Sequence, residues 1–368
     1  MKQQKLLIEL MNHEYEGDLV YGAIAFTGGF AIHKYEIDGE EFVSNQSFYN
    51  VIFNYFRDIA ELNDVHFDVQ RSVATISFCR NKVNLLAHLK NILKLLYEYN
   101  YNEQFFEMAK QNTIDSFSKK YKDEKFRGMY KAFEFADLNK RYTLAQLIQD
   151  IDSITFEEFK ECANRLITPG NTCIYLCGNV SDIDLSSLKM DEYYDKYYNC
   201  ISVVGSSFDS YLREDAHILN VARKDCNIQV EAFDFFNKEI SNFGKQLIVE
   251  TLSELVLGTN KNVWIDAYDS SIVYETLQLK SYKEQFNELD EQKYSQINKS
   301  LLSKYISLLE NMPEHFAIKA ASFMTVGIYI DQYISFLSEC NYDLFKELNE
   351  KADYKITEAQ VALRRELA

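Results

Sequence analysis

Residues Ser153–Val180 read SITFEEFKECANRLITPGNTCIYLCGNV, and their order decides the fold. Thr155 and Glu158 stand at capping-box spacing, where a threonine hydroxyl and a glutamate carboxylate satisfy the first free N–H groups of a helix. The helix they open ends at TPGN, because Pro169 and Gly170 break the chain. Thr172–Val180, TCIYLCGNV, then reads as a buried strand. Cys173 and Cys177 share one face of that strand but lie roughly 14 Å apart at about 3.4 Å per residue. They read as buried free thiols. The seven cysteines are odd in number and scattered, which does not make a disulfide framework.

Upstream of this stretch the pattern is strands, helix, strands, helices. KLLIEL (Lys5–Leu10) and LVYGAIAFTGG (Leu19–Gly29) are apolar, branched and punctuated by glycine, so they read as strands. SFYNVIFNYFRDIAEL (Ser47–Leu62) places Phe48, Val51, Ile52, Tyr55, Phe56 and Ile59 at helical spacing behind a Ser47 cap. Asp64–Cys79 reads as a hairpin or two successive strands. Lys82–Tyr99 and Asn102–Asp123 read as long helices, KFRGMYKAFEFADL and TLAQLIQDI as shorter ones. Downstream, the tyrosine-rich SDIDLSSLKMDEYYDKYYNC reads as a linker, and the order starts again. NIQVEAFDFF is a strand, EISNFGKQLIVETLSELVLG a long helix and IVYETLQLKSY a strand. Helical stretches follow at Glu291–Asn311 and Pro313–Cys340, and TEAQVALRREL reads as a last helix. The expected fold class is therefore α+β, with two similar domains at 1–190 and 213–368 joined by a linker at 191–212. Each is a largely antiparallel sheet with helices packed on one face.

The bulk numbers narrow the function. At 368 residues the chain suits about two domains, and 12 Gly with 2 Pro argue against disorder. A formal charge of −17 disfavours nucleic acid, whose phosphates need clustered Lys and Arg. It suits a basic partner or peptide. No run of about 18 apolar residues marks a membrane span. The start has no apolar core of signal-peptide length, so a cytoplasmic protein is expected.

The chemistry-bearing motif is in GGFAIHKYEIDGEEF (Gly28–Phe42). His33, Glu36 and Ile37 fill the fixed places of the zinc pattern His-x-x-Glu-His, with isoleucine in the last one. The plain alternative is a surface or satisfied core histidine beside a turn. No Gly-x-Ser-x-Gly, P-loop or dinucleotide fingerprint occurs. The pairs Asp150/Asp152 and Glu157/Glu158 sit where helix N-termini favour negative charge, and need no catalytic role.

Taken together, the chain resembles the insulinase-like (pitrilysin, inverzincin) metallopeptidases over most of its length. The resemblance rests on LVYGAIAFTGGFAIHKYEI and on Ile154, Thr155, Glu157, Glu158 and Phe159 leading to Gly178-Asn179. It also rests on ETLSELVLGTNKNVWIDAYDSSIVYETL and INKSLLSKYISLLENMPEHFAIKAASFMTVG. It implies a clamshell of two domain pairs, in one chain or two subunits. One half carries zinc on a helix bearing His-x-x-Glu-His plus a glutamate from a later helix. The other half grips the substrate backbone with an arginine and a tyrosine.

This sequence departs from both sets. His33 and Glu36 stand for the first histidine and the base, but Ile37 cannot bind metal, and Asp115 takes the distal glutamate's place one methylene short. Three protein ligands are needed for zinc to lower the pKa of bound water to about 7. The arginine place falls at Tyr268, and the tyrosine place at Glu275 or, with a small gap, Tyr274. A phenol cannot reproduce the guanidinium fork. Trp264, on the same segment, is a packing residue or a substrate contact. The resemblance puts the edge strand that takes a peptide at His66, Phe67 and Val69. It implies a non-catalytic subunit, similar to the short subunits of bacterial bacteriocin or ribosomal-peptide maturation peptidases. Such a subunit holds no cofactor itself, and pairs as a heterodimer with a partner that carries zinc and an intact motif. The alternative is a peptide- or protein-binding scaffold of the same fold with no role in proteolysis.

Overall fold

A computed structural model describes residues 7–365 except 31, 46, 60–63, 137–143, 189–200, 204–216, 222–225, 238, 258–260, 267–270 and 277–285. Most of the expected linker lies outside the described residues. The chain forms two compact units, each assembled from three separate stretches. Unit 1 takes Met1–Ser116, Ala145–Gly205 and Leu308–Gly327, and unit 2 takes Phe117–Leu144, Ser206–Ser307 and Ile328–Ala368.

Unit 1 begins with β1 (Leu7–Asn12), β2 (Leu19–Thr27), β3 (Lys34–Ile37) and β4 (Glu40–Val43), followed by helix α1 (Phe48–Ile59). The hairpin β5 (Val65–Val69) and β6 (Val73–Asn81) comes next, then α2 (Lys82–Tyr97) and α3 (Glu103–Lys120). After α4 (Glu124–Ala136), which belongs to unit 2, the unit resumes with α5 (Leu144–Ser153), α6 (Phe156–Leu166), β7 (Thr172–Gly178) and β8 (Ile201–Val203). The main sheet has the order β1-β7-β2-β6-β5, with β1 and β7 parallel and the other pairs antiparallel.

The decisive stretch folds as its residues require. The Thr155 hydroxyl accepts from the Glu158 N–H at 3.2 Å, and the Glu158 carboxylate accepts from the Thr155 N–H at 2.9 Å. Those Thr155 bonds hold the Glu158 carboxyl below the usual range. β7 is buried at every residue and sits between β1 and β2. Gly178 ends it at φ +150°, where an added Cβ would lie 2.5 Å from the Leu19 carbonyl oxygen, so no larger residue fits. Burial pushes the Cys162 and Cys173 thiols up to about 12 and Cys177 to about 11, which makes them inert core residues.

One face of this sheet carries α1, where the Phe53 ring lies 6.1 Å from Phe26 and 5.4 Å from Phe67. Phe159 of α6 joins the same layer, 5.4 Å from Tyr55 and 4.8 Å from Phe106 of α3. On the opposite face, Ala23, Ser77 and Tyr175 stand in one register row. The Ser77 hydroxyl donates to Glu314 at 2.9 Å, and Tyr175 meets Phe316 at 6.1 Å. Both partners come from a helix more than 130 residues downstream in the sequence.

His88 on α2 is buried against the Phe78 ring at 5.2 Å, and its Nε2 has no hydrogen-bond partner. Burial, then the nearby Arg80 charge, lowers its pKa from 6.5 to about 4, with Asp64 opposing. The unfolded chain takes up this proton near pH 6.5. The stability contributed by neutral His88 is therefore complete above pH 6.5 and is lost as pH falls toward about 4. Melting curves should show the wild type losing more stability than His88→Leu between pH 7 and 4.5. Coincident acid limbs would rule His88 out as the responsible group.

Unit 2 contains β9 (His217–Val221), β10 (Cys226–Phe235), α7 (Asn242–Leu257), β11 (Lys261–Asp266) and β12 (Ser271–Thr276). Then come α8 (Glu291–Asn311), α9 (Pro313–Met324, which belongs to unit 1), α10 (Ile330–Glu339), α11 (Tyr342–Lys351) and β13 (Tyr354–Arg365). The helix expected at TEAQVALRREL is thus a strand. β13 pairs along all of β10, from Tyr354 opposite Phe235 to Leu363 opposite Cys226, and also lies parallel to β9. Pairing on both sides outweighs the helix propensity of its Ala, Leu, Arg and Glu residues. The stretch Pro313–Cys340 resolves into α9 and α10, broken where Gly327 adopts φ +73°.

The unit 2 sheet has the order β11-β12-β10-β13-β9. Numbered along the chain, the five strands of each main sheet read 1-5-2-4-3, and in each the first and last pair in parallel. The two sheets are one topology used twice. Each also takes a helix from the other half of the sequence: α9 packs on β2, β6 and β7, and α4 on β10 and β13. Among the described residues, no helix is long and apolar enough to cross a membrane.

Candidate functional site

The candidate site is the free edge of the unit 1 sheet at β5. Gln70 N–H donates to the Val73 carbonyl at 2.9 Å where the hairpin turns. Antiparallel pairing alternates, so His66 and Asp68 exchange backbone bonds with β6, while Val65, Phe67 and Val69 turn theirs outward. The Phe67 carbonyl confirms this, because Nη2 of Arg57 donates to it from the open side at 3.2 Å. The ladder runs without a shift from Val65 opposite Phe78 to Val69 opposite Ala74. The twin edge, β11, differs. Its register slips between Lys261 and Val263, and a bulge discourages strand addition. Of these two equivalent edges, β5 is the one with regular register, and Arg57 is bonded to its central outward carbonyl.

The side chains of β5 alternate as well. Val65, Phe67 and Val69 are half-buried toward α1, while His66 and Asp68 are exposed. Asp68 accepts from Gln70 Nε2 at 3.3 Å. Beside this edge, α1 faces α3 through polar groups. Asn54 Nδ2 donates to the Thr113 hydroxyl at 2.7 Å, and that hydroxyl donates to the Ala109 carbonyl at 2.7 Å. Arg57 Nη1 donates to Asn54 Oδ1 at 2.7 Å, and Asn112 Nδ2 to Asp58 at 2.9 Å. Asn50, one turn before Asn54, has a buried Oδ1 without a hydrogen-bond partner.

The residues expected at a zinc remnant are not brought together. Lys34–Ile37 form a strand rather than a helix, paired with β4 and β8. His33 precedes it in a loop, and burial, then Lys34, lowers its imidazole pKa. Glu36 is exposed and Ile37 buried, on opposite faces of the strand. Positions four apart on a strand are about 13 Å apart, too far to share a metal. Asp115 is exposed on α3, where it accepts from Gln111 at 2.9 Å.

The helix that follows the first strands is instead α1. There Asn50 and Asn54 stand one turn apart, and Thr113 of α3 bonds to the Asn54 side chain and the Asn50 carbonyl. Two amides and a hydroxyl do not replace imidazoles and a carboxylate around zinc, so these residues do not fit the metal. Among the described residues, no three His, Cys, Asp or Glu side chains gather where one ion could be held.

In unit 2, Tyr274 is 2% exposed, and its hydroxyl donates to the buried Glu231 at 2.7 Å. That phenol is tied to Glu231 inside the unit. Glu275 is also buried, with Lys125 of α4 at 3.4 Å. Tyr268 lies outside the described residues, and Trp264 is placed by its backbone on β11, opposite Val273. His66, Phe67 and Val69 lie together on the β5 edge.

No family model matches the sequence, and no curated protein matches it. Solved structures do share the fold. An M16-like peptidase from Alicyclobacillus acidocaldarius aligns with a TM-score of 0.72 at 11% identity, over 99% of this chain and 97% of that one. An inactive domain of peptidase M16 from Pseudomonas fluorescens aligns with a TM-score of 0.61 at 11% identity, over 100% and 99%. A chain of complex III2 from Candida albicans aligns with a TM-score of 0.64 at 11% identity, over 98% and 95%. The fold is therefore that of M16-like peptidases across the whole chain.

Proposed function

We propose that this chain is a non-catalytic subunit of a two-subunit peptidase of insulinase-like fold. It binds an extended peptide as an added strand on β5, and a partner subunit with an intact His-x-x-Glu-His and zinc cuts that peptide. The observation that carries the reading is the pairing of an open, regular β5 edge with an α1–α3 contact made of Asn54 and Thr113. The place for the peptide is kept while ligands for a metal are not. The −17 charge favours a net basic peptide. A precursor of a bacteriocin or another ribosomal peptide fits that description.

A proline scan tests the edge. Proline lacks an N–H, and so harms only the side its N–H faces. Val65→Pro and Val69→Pro remove outward donors and should abolish peptide binding with little loss of melting temperature. His66→Pro and Asp68→Pro remove ladder donors and should lower the melting temperature. The subunit role is tested by mixing the chain with the product of the adjacent gene. The mixture should cleave peptides faster than the partner alone, and a partner at full rate by itself removes the role. A scaffold without cleavage is the second reading, favoured by the burial of Tyr274 against Glu231. It predicts peptide binding at β5 with no gain in any partner's activity.

A further inference from the structure

We propose that Arg57 is a specificity residue of the β5 edge, selecting a peptide with a carboxylate side chain at the position beside Phe67. The inference rests on the reading of β5 as the strand-accepting edge. It identifies which peptide chemistry that edge prefers.

Arg57 ends α1, is exposed, and holds two acceptors: Asn54 Oδ1 at 2.7 Å and the outward Phe67 carbonyl at 3.2 Å. Its positively charged guanidinium has no carboxylate partner among the described residues. Three described acids close in sequence are bonded elsewhere: Asp58 with Asn112 at 2.9 Å, Asp64 with Arg80 at 3.2 Å, and Asp68 with Gln70 at 3.3 Å. In a chain with 56 acidic and 39 basic residues, an arginine at a sheet edge with no carboxylate partner among the described residues is unusual. Its place is also fixed. Asn54 both receives Arg57 and donates to Thr113, so the guanidinium is tethered to the α1–α3 contact rather than free in solvent.

An added strand needs the Phe67 carbonyl for its own N–H. When it takes that acceptor, Arg57 loses one partner but keeps Asn54. The donors released then lie along the helix side of the new strand, level with the residue next to Phe67. A carboxylate there can accept two parallel N–H bonds from the fork. A neutral side chain cannot replace the lost acceptor with a charged one, and a cationic one is repelled. The −17 field acts differently: it governs approach, and salt screens it beyond about 8 Å. Arg57 acts in contact and so sets register. The preferred peptide is net basic with one acidic residue facing α1.

The probe is a panel of ten-residue synthetic peptides of alternating Val and Thr with Lys at both ends. One central residue on the Val face is Glu, Gln or Lys, and binding to the full chain is read by fluorescence anisotropy. The Glu peptide should bind at least ten-fold tighter than the Gln peptide, with the Lys peptide weakest. Arg57→Glu should invert the order, so that Lys is preferred over Glu. Arg57→Ala should make the three equal. If Glu and Gln peptides bind the wild type equally, or Arg57→Ala binds the Glu peptide more tightly, Arg57 is only a plug on the edge and the inference is wrong. Those failures leave binding sensitive to Val65→Pro, so the edge reading survives them. If no peptide binds, or binding ignores Val65→Pro, the edge reading fails and takes this one with it. Melting temperatures of both Arg57 variants close to wild type confirm that an exposed side chain, and not the fold, was changed.

Discussion

Residues 1–205 expressed alone should not fold, and neither should residues 206–368, whereas the two together should reconstitute the protein. The first fragment has all five strands of its main sheet but lacks α9. Without it, the face bearing Ala23, Ala25, Thr75, Ser77 and Tyr175, all nearly fully buried, opens to water. Burying a Phe or Met side chain is worth about 1.5–3 kcal/mol, so Phe316, Phe323 and Met324 of α9 supply about 5–9 kcal/mol. Total stability is about 5–15 kcal/mol, so losing this contribution removes more than half of a mid-range value. The second fragment lacks α4, the helix that packs on β10 and β13. Each fragment should lack a cooperative unfolding transition and bind hydrophobic dyes. Co-expression should restore one sharp transition. In the intact chain, Phe316→Ala should cost about 3–5 kcal/mol, the range for a buried phenylalanine. A single sharp, native-like transition from residues 1–205 alone would falsify the dependence on α9.

This exchange marks the limit of what the sequence makes legible. The capped helix and buried strand at Ser153–Val180 can be read because their causes are local: Thr155 with Glu158, then Pro169, then a continuous apolar run. The helices α1, α2 and α8 are legible for the same reason, since their apolar spacing names one buried face. Which sheet a helix covers is not local information. KFRGMYKAFEFADL follows unit 1 elements in sequence, yet its helix lies on unit 2. β13 fails for a related reason. Its composition is helical, and only the partners β10 and β9, from elsewhere in the chain, make it a strand. HKYEI matches four of the five letters of a zinc pattern, but its local structure follows its alternation, which sends Tyr35 and Ile37 inward and Lys34 and Glu36 outward along β3. The hairpin that carries His66, Phe67 and Val69 is legible, but the bonds of Arg57 and Asn54 are not, because no periodicity records a meeting of α1, α3 and β5.

Replacing Glu250 should produce the largest loss of stability of any single substitution in unit 2. EISNFGKQLIVETLSELVLG reads as an apolar helix, yet Glu250 is 1% exposed in the middle of it. Tyr305 of α8 donates to its Oε1 at 2.6 Å, and Tyr333 of α10 to its Oε2 at 3.0 Å. Burial first, and then the Glu250 charge, push both phenols well above their ordinary pKa. Both therefore stay protonated donors at any ordinary pH. One carboxylate thus ties three helices together inside the unit. Glu250→Ala strands two buried hydroxyls and leaves a gap, with an expected cost of about 2–6 kcal/mol at about 1–3 kcal/mol for each unsatisfied donor. Tyr305→Phe or Tyr333→Phe removes one bond to a charged group and should cost about 1.5–3 kcal/mol. The combined variant Glu250→Leu, Tyr305→Phe, Tyr333→Phe separates charge pairing from packing. If the polar groups matter chiefly through one another, removing all three should cost less than Glu250→Ala alone, because no donor is left stranded. Urea denaturation of the four variants measures this. Additive losses would mean that Glu250 holds the helices through other contacts, and a loss below about 1 kcal/mol for Glu250→Ala, the size of a surface effect, would mean that it does not hold them at all.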